Sequence, residues 1–157
     1  ETRVAEVIRN AGLANQKAKS IIGTLCTIRD RTGGYDISHL SGLETAEALD
    51  WLVELPGVGP KTATIVLCFS FGRDCVPVDT HVYRVGKRLG LIPAQMSADA
   101  AHAELAKRVP PGLSYRFHMA LIRHGRAICR APRPRCEDCR LRERCPGAEL
   151  PSKGGTS

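Results

Sequence analysis

Four cysteines fall within 17 residues, as Cys129-x6-Cys136-x2-Cys139-x5-Cys145, and no other feature restricts the possible folds of this chain so tightly. Thiols that close in sequence can converge on one metal centre, which obliges the segment carrying them to wrap around it. Ligand number alone leaves zinc and an iron–sulfur cluster both open. Zinc ribbons usually pair two Cys-x2-Cys knuckles across a longer gap, and only one such pair is present here. The remaining cysteines, Cys26, Cys68 and Cys75, are scattered. Cys26 and Cys68 lie on apolar stripes and read as core. Seven cysteines in all cannot close a disulfide framework without a remainder, so a metal site in a reducing compartment fits better.

Upstream of the cysteines the apolar residues recur at helical spacing. Helices are expected over Arg3 to Ala11 and Gln16 to Arg29, with Ile21, Ile22, Leu25 and Ile28 as a stripe on the second. Residues 32–42 carry three glycines and no period, which reads as a loop. Ala46, Leu49, Leu52 and Val53 mark the next helix, ending at Leu55-Pro56-Gly57. Pro60 suits a first helical position, and Lys61 to Phe69 is apolar nearly all round, as in a buried helix. Asp79 and Ser97 are placed as N-caps of two further helices. A last helix carries Leu113, Phe117, Leu121 and Ile128 into the cysteines. Only Val76-Pro77-Val78 hints at a strand. From Pro146 the chain turns small and polar, and residues 148–157 are expected as a disordered tail.

Lysine and arginine number 23 against 16 acidic residues, a formal charge of +7. Such an excess favours polyanions through counterion release, with nucleic acid the first guess and an anionic membrane surface the second. No apolar run approaches the ~20 residues of a membrane span, and no signal-peptide pattern opens the chain.

The segment Leu55-Pro56-Gly57-Val58-Gly59-Pro60-Lys61 sets two glycines around one apolar residue between two helices. Glycine admits positive φ and lets the backbone approach a ligand closely. The amides at the start of the second helix, with the positive end of its dipole behind them, can bind a phosphate oxygen without base selectivity. Val58 would plug back between the helices. Gly-x-Gly alone could equally be an ordinary tight turn, but the string Leu-Pro-Gly-Val-Gly-Pro-Lys-Thr-Ala is far more specific. It resembles the helix-hairpin-helix of the endonuclease III superfamily. The string Val78-Asp79-Thr80-His81-Val82-Tyr83-Arg84-Val85 resembles that family's catalytic-aspartate segment. The x6, x2, x5 cysteine spacing resembles its iron–sulfur loop, and Leu121-Ile122-Arg123-His124-Gly125-Arg126 its preceding helix.

The resemblance runs from about Val4 to Cys145 and implies an all-α helix-hairpin-helix DNA glycosylase fold of two helical lobes. Residues 1–73 would be the hairpin-bearing part of a helical barrel and residues 74–147 the cluster domain, with the active site in a cleft at the junction. The function implied is base excision repair on double-stranded DNA: removal of damaged bases, oxidised pyrimidines first, coupled to abasic-site lyase cleavage. Lys61 would be the Schiff-base nucleophile and Asp79, 18 residues on, the essential carboxylate. Gly57, Val58, Gly59, Lys61 and Thr62 would contact the DNA backbone, as would Arg130, Arg133 and Arg135. A 4Fe–4S cluster on Cys129, Cys136, Cys139 and Cys145 would shape that arginine surface. His124 is expected to pack or meet phosphate, since the thiolate set is already complete. A monomer is expected, in the cytoplasm and associated with the nucleoid through DNA binding, with a lost targeting segment left open.

Each site residue also has a plainer reading. Lys61 could contact phosphate only, and Asp79 could only cap its helix. Tyr35, Trp51, Tyr83 and Tyr115 could stack bases, although packing suffices for most. Monofunctional relatives, such as mismatch adenine glycosylases, typically lack the hairpin lysine, so Lys61 argues for the bifunctional enzyme over them. A non-catalytic DNA-binding module would have no need of Lys61 and Asp79 together. Family members carry several helices before the point matched by Val4, and those helices line the base pocket. Without them, apolar faces are expected to be exposed here. The loop between Thr32 and Leu43 is longer than is usual in the family.

Overall fold

The computed structural model describes residues 1–148, all of whose regular structure is helical, and the chain divides into two compact units, Glu1–Leu67 and Cys68 onward. The first unit holds α1 (Thr2–Val7), α2 (Ala14–Thr32), α3 (Thr45–Val53) and most of α4 (Pro60–Ser70). The helix expected over Arg3 to Ala11 breaks after Val7, and Arg9–Ala11 forms a 3₁₀ turn. The loop expected over 32–42 contains a second such turn, Ser38–Gly42, started where Asp36 Oδ1 accepts from the Ser38 amide at 2.8 Å. Glu47 closes the start of α3 by accepting from the Glu44 amide at 3.0 Å.

Leu40, Leu52 and Leu55 are buried in this unit. Each buried leucine side chain contributes about 1.5–3 kcal/mol relative to exposure. The stripe on α2 is covered only in part: Ala18 and Ile28 are buried, while Ile21 and Leu25 are more than 40% exposed. Val7 and Leu13 are more exposed still. Cys26 is exposed as well, so the reading of it as core is corrected: it flanks a face that this unit leaves largely uncovered.

In the second unit α5 (Thr80–Arg88), α6 (Ala98–Arg108) and α7 (Ser114–Ala127) enclose a core of Val76, Val78, Val82, Val85, Ile92, Ala101, Leu105, Val109 and Leu121. Helices α5 and α7 cross closely at Gly125, where a Cβ would lie 3.1 Å from the His81 ring and 3.2 Å from Val85 Cγ2. Val76-Pro77-Val78 forms no strand, since its carbonyls turn to side chains. His102 Nδ1 stands 3.1 Å from the Val76 oxygen and His118 Nδ1 2.8 Å from the Pro77 oxygen. Facing carbonyls, both ring nitrogens must be the protonated donors.

The chain stays ordered past Pro146. Pro146–Ala148 is a 3₁₀ turn packed on α5, with Gly147 so near that a Cβ would meet the Arg88 oxygen at 2.9 Å. The disorder expected from Pro146 therefore does not begin there, and residues 149–157 of the expected tail lie outside the described residues.

Candidate functional site

The hairpin is built from α2 outward. Thr24 Oγ1 donates to the Pro56 carbonyl at 2.7 Å, and Gly23 lets the Pro56 ring sit where a Cβ would be only 3.3 Å away. Val58 N donates to the Leu55 carbonyl at 3.0 Å, closing the turn. Gly57 has φ +78°, and a Cβ there would strike Ser20 at 2.5 Å, so both conformation and space demand glycine. Gly59 differs from the expectation for it. Its φ is not positive, and a Cβ would meet nothing within 4 Å. What Gly59 provides is open backbone on the outer side of the turn.

Ala63 N donates to the Gly59 carbonyl at 3.0 Å, which makes Gly59 the N-cap of α4. Lys61 and Thr62 then occupy the second and third helical positions, where backbone amides have no intrahelical acceptor. Both residues are exposed. The amides thus point outward at the positive end of a helix, the arrangement that receives an anion. No carboxylate pairs with Lys61 among the described residues. Helix α4 buries Ala63, Thr64, Leu67 and Cys68 but leaves Lys61, Thr62 and Phe69 exposed, so it is buried on one face, not all round.

Asp79 belongs to the second unit. Its Oδ1 accepts from the His81 amide at 2.9 Å and the Val82 amide at 2.7 Å, which satisfies two orphan donors of α5. Oδ2 makes no hydrogen bond to the described residues. Capping occupies one oxygen of a half-buried carboxylate and leaves the other for chemistry. Lys61 and Asp79 lie in different units, and each is placed by its own surroundings.

Cys129, Cys136, Cys139 and Cys145 line one cavity, with Leu89, Ile128, Pro134 and His124 among its walls. Two 3₁₀ turns, Cys136–Asp138 and Arg142–Arg144, space the later three along the loop. Among the described residues no three His, Cys, Asp or Glu side chains are gathered as a metal ion would need. His124 Nε2 stands 3.7 Å from Cys139 Sγ, and burial pushes its pKa down from the ordinary histidine value. It lines the cysteine cavity. Arg130, Arg133 and Arg135 are exposed, as are Arg140, Arg142 and Arg144, with Arg135 held by Asp138.

Several residues escaped the sequence reading. Arg84 Nε and Nη2 donate to the carbonyls of Cys129 (3.1 Å) and Gly125 (3.0 Å), closing the C-terminal end of α7. Arg88, one turn later, reaches the cysteine loop itself. Arginines four apart on a short helix after an N-cap were the available signal. His102 and His118 gave none, because the carbonyls that they meet are distant in sequence. Tyr83 and Trp51 are packing residues: Tyr83 donates to the Met96 carbonyl at 2.6 Å, and Trp51 lies against His39 and Arg31. Tyr35 and Tyr115 are exposed, Tyr115 edge-on to Phe69.

Residues 1–111 match the family model described as HhH-GPD superfamily base excision DNA repair protein. The endonuclease III of Rickettsia felis is 38% identical over 147 residues, which cover 92% of this chain and 63% of that protein. That of Escherichia coli is 36% identical over 142 residues, covering 90% and 63%. A solved non-covalent complex of endonuclease III with DNA superposes with a TM-score of 0.77 at 33% identity, over 94% of this chain and 64% of that one. The chain spans just under two thirds of the length of these relatives.

Proposed function

This chain belongs to the HhH-GPD superfamily of base excision DNA repair proteins, and we propose that it is a bifunctional DNA glycosylase and abasic-site lyase of the endonuclease III type. The observation that carries the reading is the place of Lys61: an exposed side chain with no ion pair among the described residues, at the second position of α4, directly behind a hairpin whose amides are open to a phosphate.

Duplex DNA would bind with a backbone phosphate on the amides after Gly59, and the damaged nucleotide would leave the stack. The Lys61 amine forms a bond to C1′ while the glycosidic bond breaks. The departing base takes the electron pair and is protonated. The proton of the attacking amine is lost to a base while the cationic sugar is stabilised, roles given to Asp79 by the likeness of its segment to the family's catalytic-aspartate segment; its Oδ2 makes no hydrogen bond to the described residues. The C1′–O4′ bond then breaks as O4′ takes up a proton, and the opened sugar is left joined to the lysine as a protonated imine. Loss of a C2′ proton expels the 3′ phosphate with its electron pair, and water hydrolyses the imine to release the lysine. Oxidised pyrimidines are the substrate class suggested by likeness to the endonuclease III relatives.

The thiolates of Cys129, Cys136, Cys139 and Cys145 would hold a 4Fe–4S cluster. All four line one cavity, and their spacing, with a single Cys-x2-Cys pair, supports this over a zinc ribbon. When bound, the cluster supplies a rigid tie for the loop. Arg130, Arg133 and Arg135 can then meet phosphates without paying the full ordering entropy.

The test is borohydride reduction of the chain mixed with a duplex carrying one abasic site, beside Lys61→Gln. A covalent adduct formed by the wild type and absent from the variant is expected. Duplex binding without an adduct would replace this reading with a monofunctional glycosylase or a binding module.

A further inference from the structure

One side chain of α5 reaches three successive residues of the cysteine loop. Arg88 Nη1 donates to the Arg130 carbonyl at 2.7 Å and to Cys129 Sγ at 3.2 Å, and Nη2 donates to the Ala131 carbonyl at 3.0 Å. The carbonyl of Arg88 accepts from the Cys145 thiol at 3.2 Å. One residue therefore touches both the first and the last of the four cysteines. Arg84 reaches the same turn, but its partners are carbonyls and His81, with no sulfur among them.

We propose that Arg88 is a positioning residue for the metal centre, shaping the Cys129–Ala131 turn before metal arrives and holding an N–H···S bond on the Cys129 ligand afterwards. The proposal rests on the cluster reading given above. Its physical basis is the guanidinium, a planar fork whose donors diverge at fixed angles and so serve three acceptors at once. A lysine ammonium, a single point on a flexible stem, cannot span them. The backbone of Arg88 is held as well, since Gly147 packs on its carbonyl and Cα too closely for any Cβ. The Cys145 contact belongs to the protonated thiol and ends when that sulfur becomes a ligand, whereas the Arg88–Cys129 contact strengthens as the sulfur gains negative charge. A donor to a ligand sulfur also draws electron density from it and favours the reduced state of a bound cluster.

The experiment uses the full chain, reconstituted anaerobically with ferrous iron and sulfide, as wild type, Arg88→Met and Arg88→Lys. Iron per polypeptide, the rate of iron loss to a chelator and the midpoint potential are read, with circular dichroism to verify folding. Both variants are expected to lose iron severalfold faster and to show a more negative potential, with lysine giving no rescue. Wild-type retention and potential in the two variants would overturn the role of Arg88 while leaving the cluster reading intact. Failure of the wild type to take up iron and sulfide would remove the cluster reading and the proposal with it. Should Arg88→Met not fold, Arg88→Lys decides by the same measurements.

Discussion

His118 Nδ1 donates to the Pro77 carbonyl at 2.8 Å, two residues before Asp79, from a ring that is buried and packed edge-on against Phe69. Replacing His118 with Phe keeps the ring volume and strands a buried carbonyl. The expected loss is about 1–3 kcal/mol, the cost of an unsatisfied buried acceptor. Urea unfolding measures it, and a variant of wild-type stability would show that the bond contributes nothing.

His102 makes the pH dependence of stability specific. Burial, the largest cause, lowers its pKa below the ordinary 6.5, opposed by its bond to Val76. The native state therefore binds a proton less readily than the unfolded chain. Stability from this group is intact above the unfolded pKa and declines as pH falls through that value toward the native one. Urea midpoints measured from pH 7 to 5 should fall, and His102→Gln should flatten the decline. An equally steep decline in the variant would assign it to other groups.

The two hairpin glycines should respond differently to alanine. Gly57→Ala meets both a left-handed φ and the Ser20 side chain, and strain of the first kind costs about 1–2 kcal/mol. Gly59→Ala fits the space available but is a poorer N-cap for α4, so its loss should be limited to about 0.5–1 kcal/mol. Its Cβ stands where a phosphate would approach, and duplex affinity should fall. Fluorescence anisotropy on a labelled duplex, paired with unfolding curves, separates the two effects; unchanged affinity in Gly59→Ala would place the phosphate elsewhere.

Asp79 permits capping and chemistry to be told apart. Asparagine is as good an N-cap as aspartate, so Asp79→Asn should keep the stability of α5, whereas Asp79→Ala should lose about 1 kcal/mol. Both should lower abasic-site cleavage about 100-fold or more, the scale seen when one group facing developing charge is removed. Full turnover in the asparagine variant would reduce Asp79 to a cap.

Much of this was visible in the order of residues. The caps at Asp79 and Ser97, the proline opening α4 and the positive φ of Gly57 act within four residues of themselves, so their physics is local. The cysteine spacing is likewise a statement about one short loop. Cys26 was misread for the complementary reason: an apolar stripe says which face of α2 avoids water, but not whether anything covers it.

Tertiary contacts set the finer features of the site. The shape of the Cys129–Ala131 turn depends on Arg88, more than forty residues earlier, and the course of Val76–Val78 depends on two histidines from different helices. A helical period cannot announce a donor whose acceptor is distant in sequence, because the pairing exists only once the helices pack. What the linear order does carry is the helical class and the candidates for nucleophile, carboxylate and metal ligands. Each of these depends on residue type at short spacing, whereas the hydrogen bonds onto the Pro77 carbonyl and the Cys129–Ala131 turn form only when distant helices pack together.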